Sequence, residues 1–249
     1  MDNNYNKLNN NLEVLKLEGI KSNLDSYLNL MNQGQKNTVD ALYELTEIEM
    51  DLRMKRAMTA CVRVANFPFI KTFKDFDFTF QPSIHKEQLI TYQYLKFIEQ
   101  KENIVFVGSP GVGKTHLATA IGIEAAKQRV STYFIGCNDL VLQLKRAQIE
   151  NRLESRLKFF SKYKLLIIDE VGFLPLDIES SNLLFQLIAK RYEKNSTIIT
   201  TNKPLSKWGE VFGDMVLTNA ILDRLLHHST VINIVGRSYR TRNFMNDED

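Results

Sequence analysis

Gly108-Ser109-Pro110-Gly111-Val112-Gly113-Lys114-Thr115 has the residue types and spacing that hold a polyphosphate. Glycines at such positions let backbone N–H groups converge on phosphate oxygens. Lys114 is placed to reach the β- and γ-phosphates of a nucleoside triphosphate, and the Thr115 hydroxyl to bind Mg²⁺. The flanking sequence is what this motif needs: an apolar run, Ile104 to Val107, precedes it, and a helical stretch follows from His116. The N-terminus of that helix adds favourable partial charge for an anion.

A second apolar run, Leu165-Leu166-Ile167-Ile168, ends in Asp169-Glu170. Ligands of open α/β sheets gather at the C-terminal ends of the strands, which puts Asp169 beside the phosphates. Its natural role is to hold Mg²⁺ through water, and Glu170 is the natural base for an attacking water. Such a base points to hydrolysis, since a small-molecule kinase gains nothing from it. A third run, Thr197 to Thr201, ends at Asn202, which orients that water, contacts the γ-phosphate or simply turns the chain. Arg224 and Arg240, read by themselves, fit surface ion pairs as well as phosphate contacts.

Between residues 143 and 164, Lys145, Arg146, Arg152, Arg156, Lys158, Lys162 and Lys164 face only two acids, Glu150 and Glu154. Lys145, Arg146 and Arg152 are the candidates for nucleic-acid phosphates, and a solvated helix face is the plainer reading of the same run. The histidines, His85, His116, His227 and His228, show no metal-ligand spacing, and an adjacent pair cannot share one helix face. No structural metal is expected from them. No Ser-His-Asp or G-x-S-x-G arrangement is visible either.

The elements that must position these residues follow from periodicity. Five short apolar runs, at 103–107, 132–135, 165–168, 197–201 and 231–235, alternate with helical stretches at 114–128, 138–160, 178–194 and 217–227. Unbroken Val/Ile/Leu runs between helices read as buried parallel strands. The expected fold is α/β, a parallel sheet sandwiched by helices. Upstream, leucines from Leu12 to Leu28 fit one helix ending near Gln33-Gly34. Ala41, Leu45, Ile48 and Leu52 fit a second, from about 39 to 65, which Pro68 stops. An extended aromatic stretch, Phe69 to Phe80, then precedes a helix from His85 to about Gln100. The expected division is a helical N-terminal domain over 1–70, for partner or DNA contacts, and an ATPase domain over 71–249.

Composition sets the bounds. A chain of 249 residues, 44% hydrophobic and 24% charged, is neither disordered nor fibrous. No run approaches the roughly 18 apolar residues of a membrane helix, and the polar, Asn-rich start is no signal peptide. Two distant cysteines, Cys61 and Cys137, exclude a disulfide framework and favour a reducing cytoplasmic setting.

Longer blocks carry a resemblance. Asp169-Glu-Val-Gly-Phe-Leu-Pro-Leu176, Asn182-Leu-Leu-Phe-Gln-Leu187, Lys190-Arg-Tyr-Glu193, Trp208 to Asp214 and Ala220 to His228 resemble the IstB-like ATPases, transposition helpers of bacterial insertion sequences. Leu15 to Gly19, Phe76-Asp-Phe78 and the extended Gly-Lys-Thr-His-Leu motif are similar too. The resemblance spans about residues 12–244, and the departures, at Ile123 and Lys127-Gln128, touch no nucleotide residue. The family is related to DnaC-type helicase loaders within the AAA+ ATPases, so the resemblance implies a AAA+ P-loop core. By position, Lys114 and Thr115 look like Walker A, Asp169 and Glu170 like Walker B, and Asn202 like sensor 1. Arg224 sits where the loaders carry an arginine finger, and Arg240 where they carry a sensor 2 arginine. The resemblance further implies ATP and Mg²⁺ as cofactors, homo-oligomers on double-stranded DNA, target selection and activation of a cognate transposase. A helicase loader and a barely hydrolysing, nucleotide-gated adaptor are the rival readings; an intact Glu170 disfavours the adaptor.

Overall fold

The computed structural model describes residues 4–242. Contacts divide the chain into two compact units, Met1–Ala60 and Cys61–Asp249. The first is helical: α1 (Asn4–Val14), α2 (Glu18–Asn32) and most of α3 (Thr38–Val64). The single helix expected between Leu12 and Gln33 is broken. Lys16 takes a left-handed conformation (φ 55°), and the Leu17 N–H closes back on the Leu12 carbonyl at 2.8 Å, a bond that ends a helix. Leucine spacing hides this break because Leu12 and Leu24 are buried on either side of it.

The first turn of α2 has no side-chain cap of its own. Glu49 of α3, itself buried, supplies one: its carboxylate accepts the N–H groups of Gly19 (2.7 Å) and Ile20 (3.4 Å). Arg53 donates to the other oxygen at 2.8 Å. Burial by itself raises the Glu49 pKa, but Arg53 and the two amides outweigh it and hold the carboxyl below its ordinary value.

The second unit, after the end of α3, carries α4 (Lys86–Thr91) and α5 (Lys96–Glu99) and is built on five parallel strands. These are β1 (Asn103–Gly108), β2 (Thr132–Gly136), β3 (Leu165–Val171), β4 (Ser196–Thr201) and β5 (Ser229–Ile234), in the order β2-β3-β4-β1-β5. The central strands β1, β3 and β4 are buried almost throughout, which is why they read as unbroken aliphatic runs. Successive side chains serve opposite faces. Ile104, Phe106, Ile167 and Ile198 pack with Leu117 and Ile121 of α6 (Lys114–Lys127). Val105, Ile168 and Ile199 pack with Leu144 of α7 (Cys137–Ile149), Leu157 of α8 (Leu153–Ser161) and Leu184 of α9 (Ile178–Arg191). After α10 (Trp208–Phe212), Asp214 caps α11 (Met215–Leu226) by accepting the Leu217 N–H at 2.8 Å.

Two further expected elements are reshaped. The helix expected over 85–100 is α4, a 3₁₀ turn and α5, broken at Leu95 (φ 57°). The helices expected over 138–160 are α7 and α8, divided at Asn151 (φ 53°), where the Arg152 N–H reaches back to the Ala147 carbonyl at 2.7 Å. The aromatic stretch is not extended throughout: Thr72 and Asp75 cap each other around a 3₁₀ turn at Phe73–Asp75. Just before it, the Ala65 carbonyl accepts the Phe134 N–H at 2.8 Å and Asn66 donates to the Phe134 carbonyl at 3.0 Å. Those bonds cover the otherwise open edge of β2.

Arg191, 1% exposed, holds the opposite end of the sheet from the phosphate loop. Its guanidinium donates to the carbonyls of Phe160 (3.0 Å), Ser161 (3.3 Å), Tyr163 (2.8 Å) and Ser196, and to the Thr197 hydroxyl (3.0 Å). Burial pulls its pKa down to about 9. Among the described residues, no helix is long and apolar enough to cross a membrane.

Candidate nucleotide site

Because the sheet is parallel, the C-terminal ends of β1, β3 and β4 lie together, and the loop from Gly108 to Gly113 turns there into α6. Gly111 (φ 82°) and Gly113 (φ 102°) occupy the left-handed region that disfavours any side chain. A Cβ at 111 would also run into Ser238, and one at 113 into the Phe76 ring. Lys114 folds over the loop, donating from Nζ to the carbonyls of Gly108 and Ser109, each at 2.8 Å. Burial pushes its pKa down, against the pull of Asp169. Phosphate oxygens would replace those carbonyls as partners for a cation that already lacks full hydration.

Thr115 Oγ1 donates toward the Asp169 carboxylate, at 3.0 and 3.2 Å from its two oxygens. The Thr200 hydroxyl donates to Asp169 Oδ1 at 2.5 Å. Asp169 is 7% exposed, and burial raises its pKa despite the hydrogen bonds from Thr200 and Thr115 and the charge of Lys114. A hydroxyl and a buried carboxylate form an all-oxygen donor set that fits Mg²⁺. Glu170 turns the other way, exposed, in a left-handed conformation (φ 60°) that costs a non-glycine residue about 1–3 kcal/mol. Its own N–H is held by the Thr200 hydroxyl at 2.9 Å.

Lys114, Thr115, Glu170 and Thr200 border a cavity of about 380 Å³, large enough for a nucleotide. Asn202 lines it, with a buried Oδ1 that has no hydrogen-bond partner among the described residues. Arg240 lines it too, from a turn tied to the phosphate loop by the Tyr239 N–H donating to the Gly111 carbonyl at 3.0 Å. Phe69 and Phe76 meet the His116 ring edge-on, at centroid distances of 6.2 and 5.2 Å. Burial, chiefly, lowers the His116 pKa and favours its uncharged form on this aromatic wall. Ser109, Pro110 and Val112 complete the loop, with Val112 buried beneath it.

Arg224 is not brought to this cavity. It lies back on α11, donating to the Ala220 carbonyl at 2.9 Å, with its guanidinium 4.9 Å from the Phe185 ring centre. The basic segment forms a separate groove of about 360 Å³, lined by Arg146, Arg152 and Arg156. Lys145 is engaged by Asp177 at 2.6 Å and Glu179 at 3.8 Å, and Arg152 by Glu150. Arg146 is exposed and has no carboxylate partner among the described residues.

The profile of the IstB-like ATP binding proteins matches residues 10–246. The chain belongs to this family. A relative from Bacillus thuringiensis subsp. berliner, whose name assigns it to insertion sequence IS232 and to ATP binding, is 53% identical over 249 residues, the whole of both chains. The crystal structure of the DnaC helicase loader is similar with a TM-score of 0.53 and 28% identity, over 60% of this chain and 88% of that one. AMPPCP-bound DnaA from Aquifex aeolicus is similar with a TM-score of 0.55 and 20% identity, over 73% of this chain and 56% of that one. The sheet of this IstB-like chain is thus the AAA+ P-loop fold.

Two contributors to the IstB-like site escape sequence reasoning. Thr200 stands in a run that reads as an ordinary strand end, and only the β3–β4 register, Ile168 opposite Ile199, sets it beside Asp169. His116 reads as the first residue of a helix, and its contact with Phe76 depends on the turn at Phe73–Asp75.

Proposed function

We propose that this cytoplasmic IstB-like chain binds and hydrolyses ATP with Mg²⁺, assembles as a homo-oligomer on double-stranded DNA, selects a target and activates a partner transposase. The observation that carries this reading is the convergence of Lys114, Thr115, Glu170, Asn202 and Arg240 around one cavity at the phosphate loop, with Asp169 hydrogen-bonded to Thr115. The loop amides and Lys114 bind the phosphates. Thr115 and Asp169 hold Mg²⁺, which when bound neutralises charge on the β- and γ-phosphates.

Glu170 accepts a proton from water as the water oxygen attacks the γ-phosphorus. The bond to the bridging oxygen breaks, and its electron pair leaves with ADP. Asn202 offers its partnerless amide oxygen to orient the water, and Arg240 stabilises charge on the γ-phosphate. Arg224, turned away from its own cavity, acts on the nucleotide of a neighbouring copy. Lys145, Arg146 and Arg152 contact DNA phosphates. The helical N-terminal domain serves partner or DNA contacts, and the ATPase domain forms the ring or filament.

The likeness to the DnaC helicase loader supports a second reading, a replicative helicase loader. Binding to duplex and single-stranded DNA, with a non-hydrolysable ATP analogue and with ADP, separates the two. Multimers on duplex that require the ATP analogue are expected. Preference for single strands, or dependence on a helicase, would overturn the transposition reading in favour of the loader.

A further inference from the structure

Far from the nucleotide cavity, the fold gathers three metal-ligating side chains that the sequence keeps apart. Glu193 follows α9, and His227 and His228 follow the last turn of α11. An adjacent pair cannot share a helix face, but these two are not both helical: His227 is the C-cap of α11, and His228 lies beyond it, at the approach to β5. Their rings therefore lie side by side, with centroids 4.0 Å apart. We propose that Glu193, His227 and His228 form a binding site for one divalent transition-metal ion of the Zn²⁺ class.

Geometry carries the assignment. Glu193 Oε1 lies 3.7 Å from His227 Nδ1 and 3.8 Å from His228 Nε2, and one ligand atom from each residue lies within 4.8 Å of the others. Ligand atoms about 2.0–2.1 Å from a tetrahedral Zn²⁺ stand roughly 3.4 Å from one another. Two of the three separations thus need only a few tenths of an ångström, and rotation of half-exposed side chains supplies the rest. The backbones already hold their places. The His227 N–H donates to the Asp223 carbonyl at 3.1 Å, and the His228 carbonyl accepts the Asn103 N–H at 2.8 Å. Glu193 is fixed in a left-handed turn (φ 55°) closed by the Lys194 N–H on the Arg191 carbonyl at 3.0 Å. Arg191 is the buried clamp of that end of the sheet, so both ligand-bearing segments are anchored to one rigid body.

Donor chemistry sets the class. Two imidazoles and one carboxylate suit Zn²⁺ and its neighbours, whereas Mg²⁺ and Ca²⁺ take oxygen ligands. The Tyr192 hydroxyl, 2.8 Å from His227 Nδ1, yields that nitrogen to the ion and turns to Glu193, which it already faces. A hydrogen bond from outside the ligand set is what orients a metal-bound carboxylate. Three protein ligands leave the fourth position to water. Ser229 pairs with Asn103 at the start of β1, while the phosphate loop begins at its far end, about 17 Å along the strand. The ion is therefore separate from any Mg²⁺ at Asp169. Bound there, it ties the end of α11, the helix that carries Arg224, to the end of α9.

The test uses the untagged full-length chain, stripped with EDTA and titrated with Co²⁺ as an optical probe, with excess Mg²⁺ present to fill the Thr115–Asp169 site. One equivalent is expected to bind with the absorption of four-coordinate Co²⁺, to be displaced by Zn²⁺, and Zn²⁺ should raise the melting temperature. His228→Ala and Glu193→Gln should each weaken Co²⁺ affinity at least about tenfold while leaving the metal-free melting temperature unchanged. Should His228→Ala fold poorly, His228→Gln repeats the measurement with a side chain of similar bulk. The absence of saturable one-equivalent binding would overturn the proposal. Undiminished affinity in these variants would overturn it too, placing the ion elsewhere, for example on His116 or Cys61.

Discussion

The Thr200 hydroxyl donates to Asp169 Oδ1 at 2.5 Å and, through the same oxygen, accepts the Glu170 N–H at 2.9 Å. One side chain of β4 thereby aims both acids of β3: the first inward toward Thr115, the second out toward the cavity. Thr200 is a positioning residue in this arrangement, because its hydroxyl is engaged by Asp169 and the Glu170 amide. Thr200→Val keeps the volume and loses both bonds. Its ATPase turnover is expected to fall about 10–100-fold, with a raised Mg²⁺ requirement, the scale seen when partners behind a metal ligand are removed. Thr200→Ser should restore most of it; a purely structural role would show instead as a lower melting temperature with unchanged Mg²⁺ dependence.

Lys114 and Glu170 are expected to fail differently. Lys114→Ala removes the cation facing the β- and γ-phosphates and should abolish nucleotide binding in a filter assay. Glu170→Gln keeps the shape and the phosphate contacts, so ATP should still bind while steady-state hydrolysis slows by about 10²-fold or more. Hydrolysis near the unmodified rate in Glu170→Gln would remove the base from that residue.

The buried Asp169 makes its metal binding sensitive to pH. Its pKa is raised, chiefly by burial, so a proton competes for the carboxylate at higher pH than at an ordinary aspartate. Mg²⁺ needs the ionised form. Apparent Mg²⁺ affinity in the ATPase assay should therefore hold near neutral pH and fall as pH drops through this raised value. Thr200→Val, which deletes a hydrogen bond that lowers the pKa, should begin to lose affinity at still higher pH. Equal pH profiles for the two proteins would contradict this coupling.

How much of this was legible beforehand depends on how local the cause is. The phosphate loop and the acid pair are written in contiguous residues, and the strands announce themselves because burial on both faces demands unbroken aliphatic runs. What escaped was set by register and by single backbone angles. Leu95 and Lys16 break helices through left-handed conformations that their residue types do not advertise. Thr200 meets Asp169 only once β3 and β4 are paired, and Glu193 meets His227 and His228 only once α9 and α11 lie side by side. The aromatic stretch before α4 hid its turn because Thr72 and Asp75, the residues that make it, look like ordinary polar linkers.

Arg224 lies against Phe185 and its own helix, outside the cavity of its own subunit. If it serves a neighbour's γ-phosphate, Arg224→Ala should lose roughly 10³-fold in turnover, as for other arginines supplied across an interface, while ATP still binds. Mixing inactive Arg224→Ala with inactive Lys114→Ala protein should then restore part of the activity, since each supplies the half-site that the other lacks. Mixtures that never exceed the sum of the two parents would rule out the role across the interface.

The three basic residues proposed to meet DNA are not equivalent, and their partners decide by how much. Each phosphate contact releases counterions and steepens the salt dependence of binding by about 0.9 in log–log slope. Arg146, exposed and without a carboxylate, is free to contribute one full contact. Lys145 is already neutralised by Asp177 and Glu179, and Arg152 is paired with Glu150, so bringing either onto DNA first breaks an ion pair. Arg146→Ala should therefore flatten the slope for duplex DNA by about 0.9, and Lys145→Ala by much less. The triple neutralised variant should lose between one and two units, short of the nearly three that three free cations would give. The measurement is duplex affinity across a salt series with the ATP analogue bound. An unchanged slope in Arg146→Ala would take this groove out of the DNA path, and a full unit lost in Lys145→Ala would mean that DNA displaces Asp177 from its lysine.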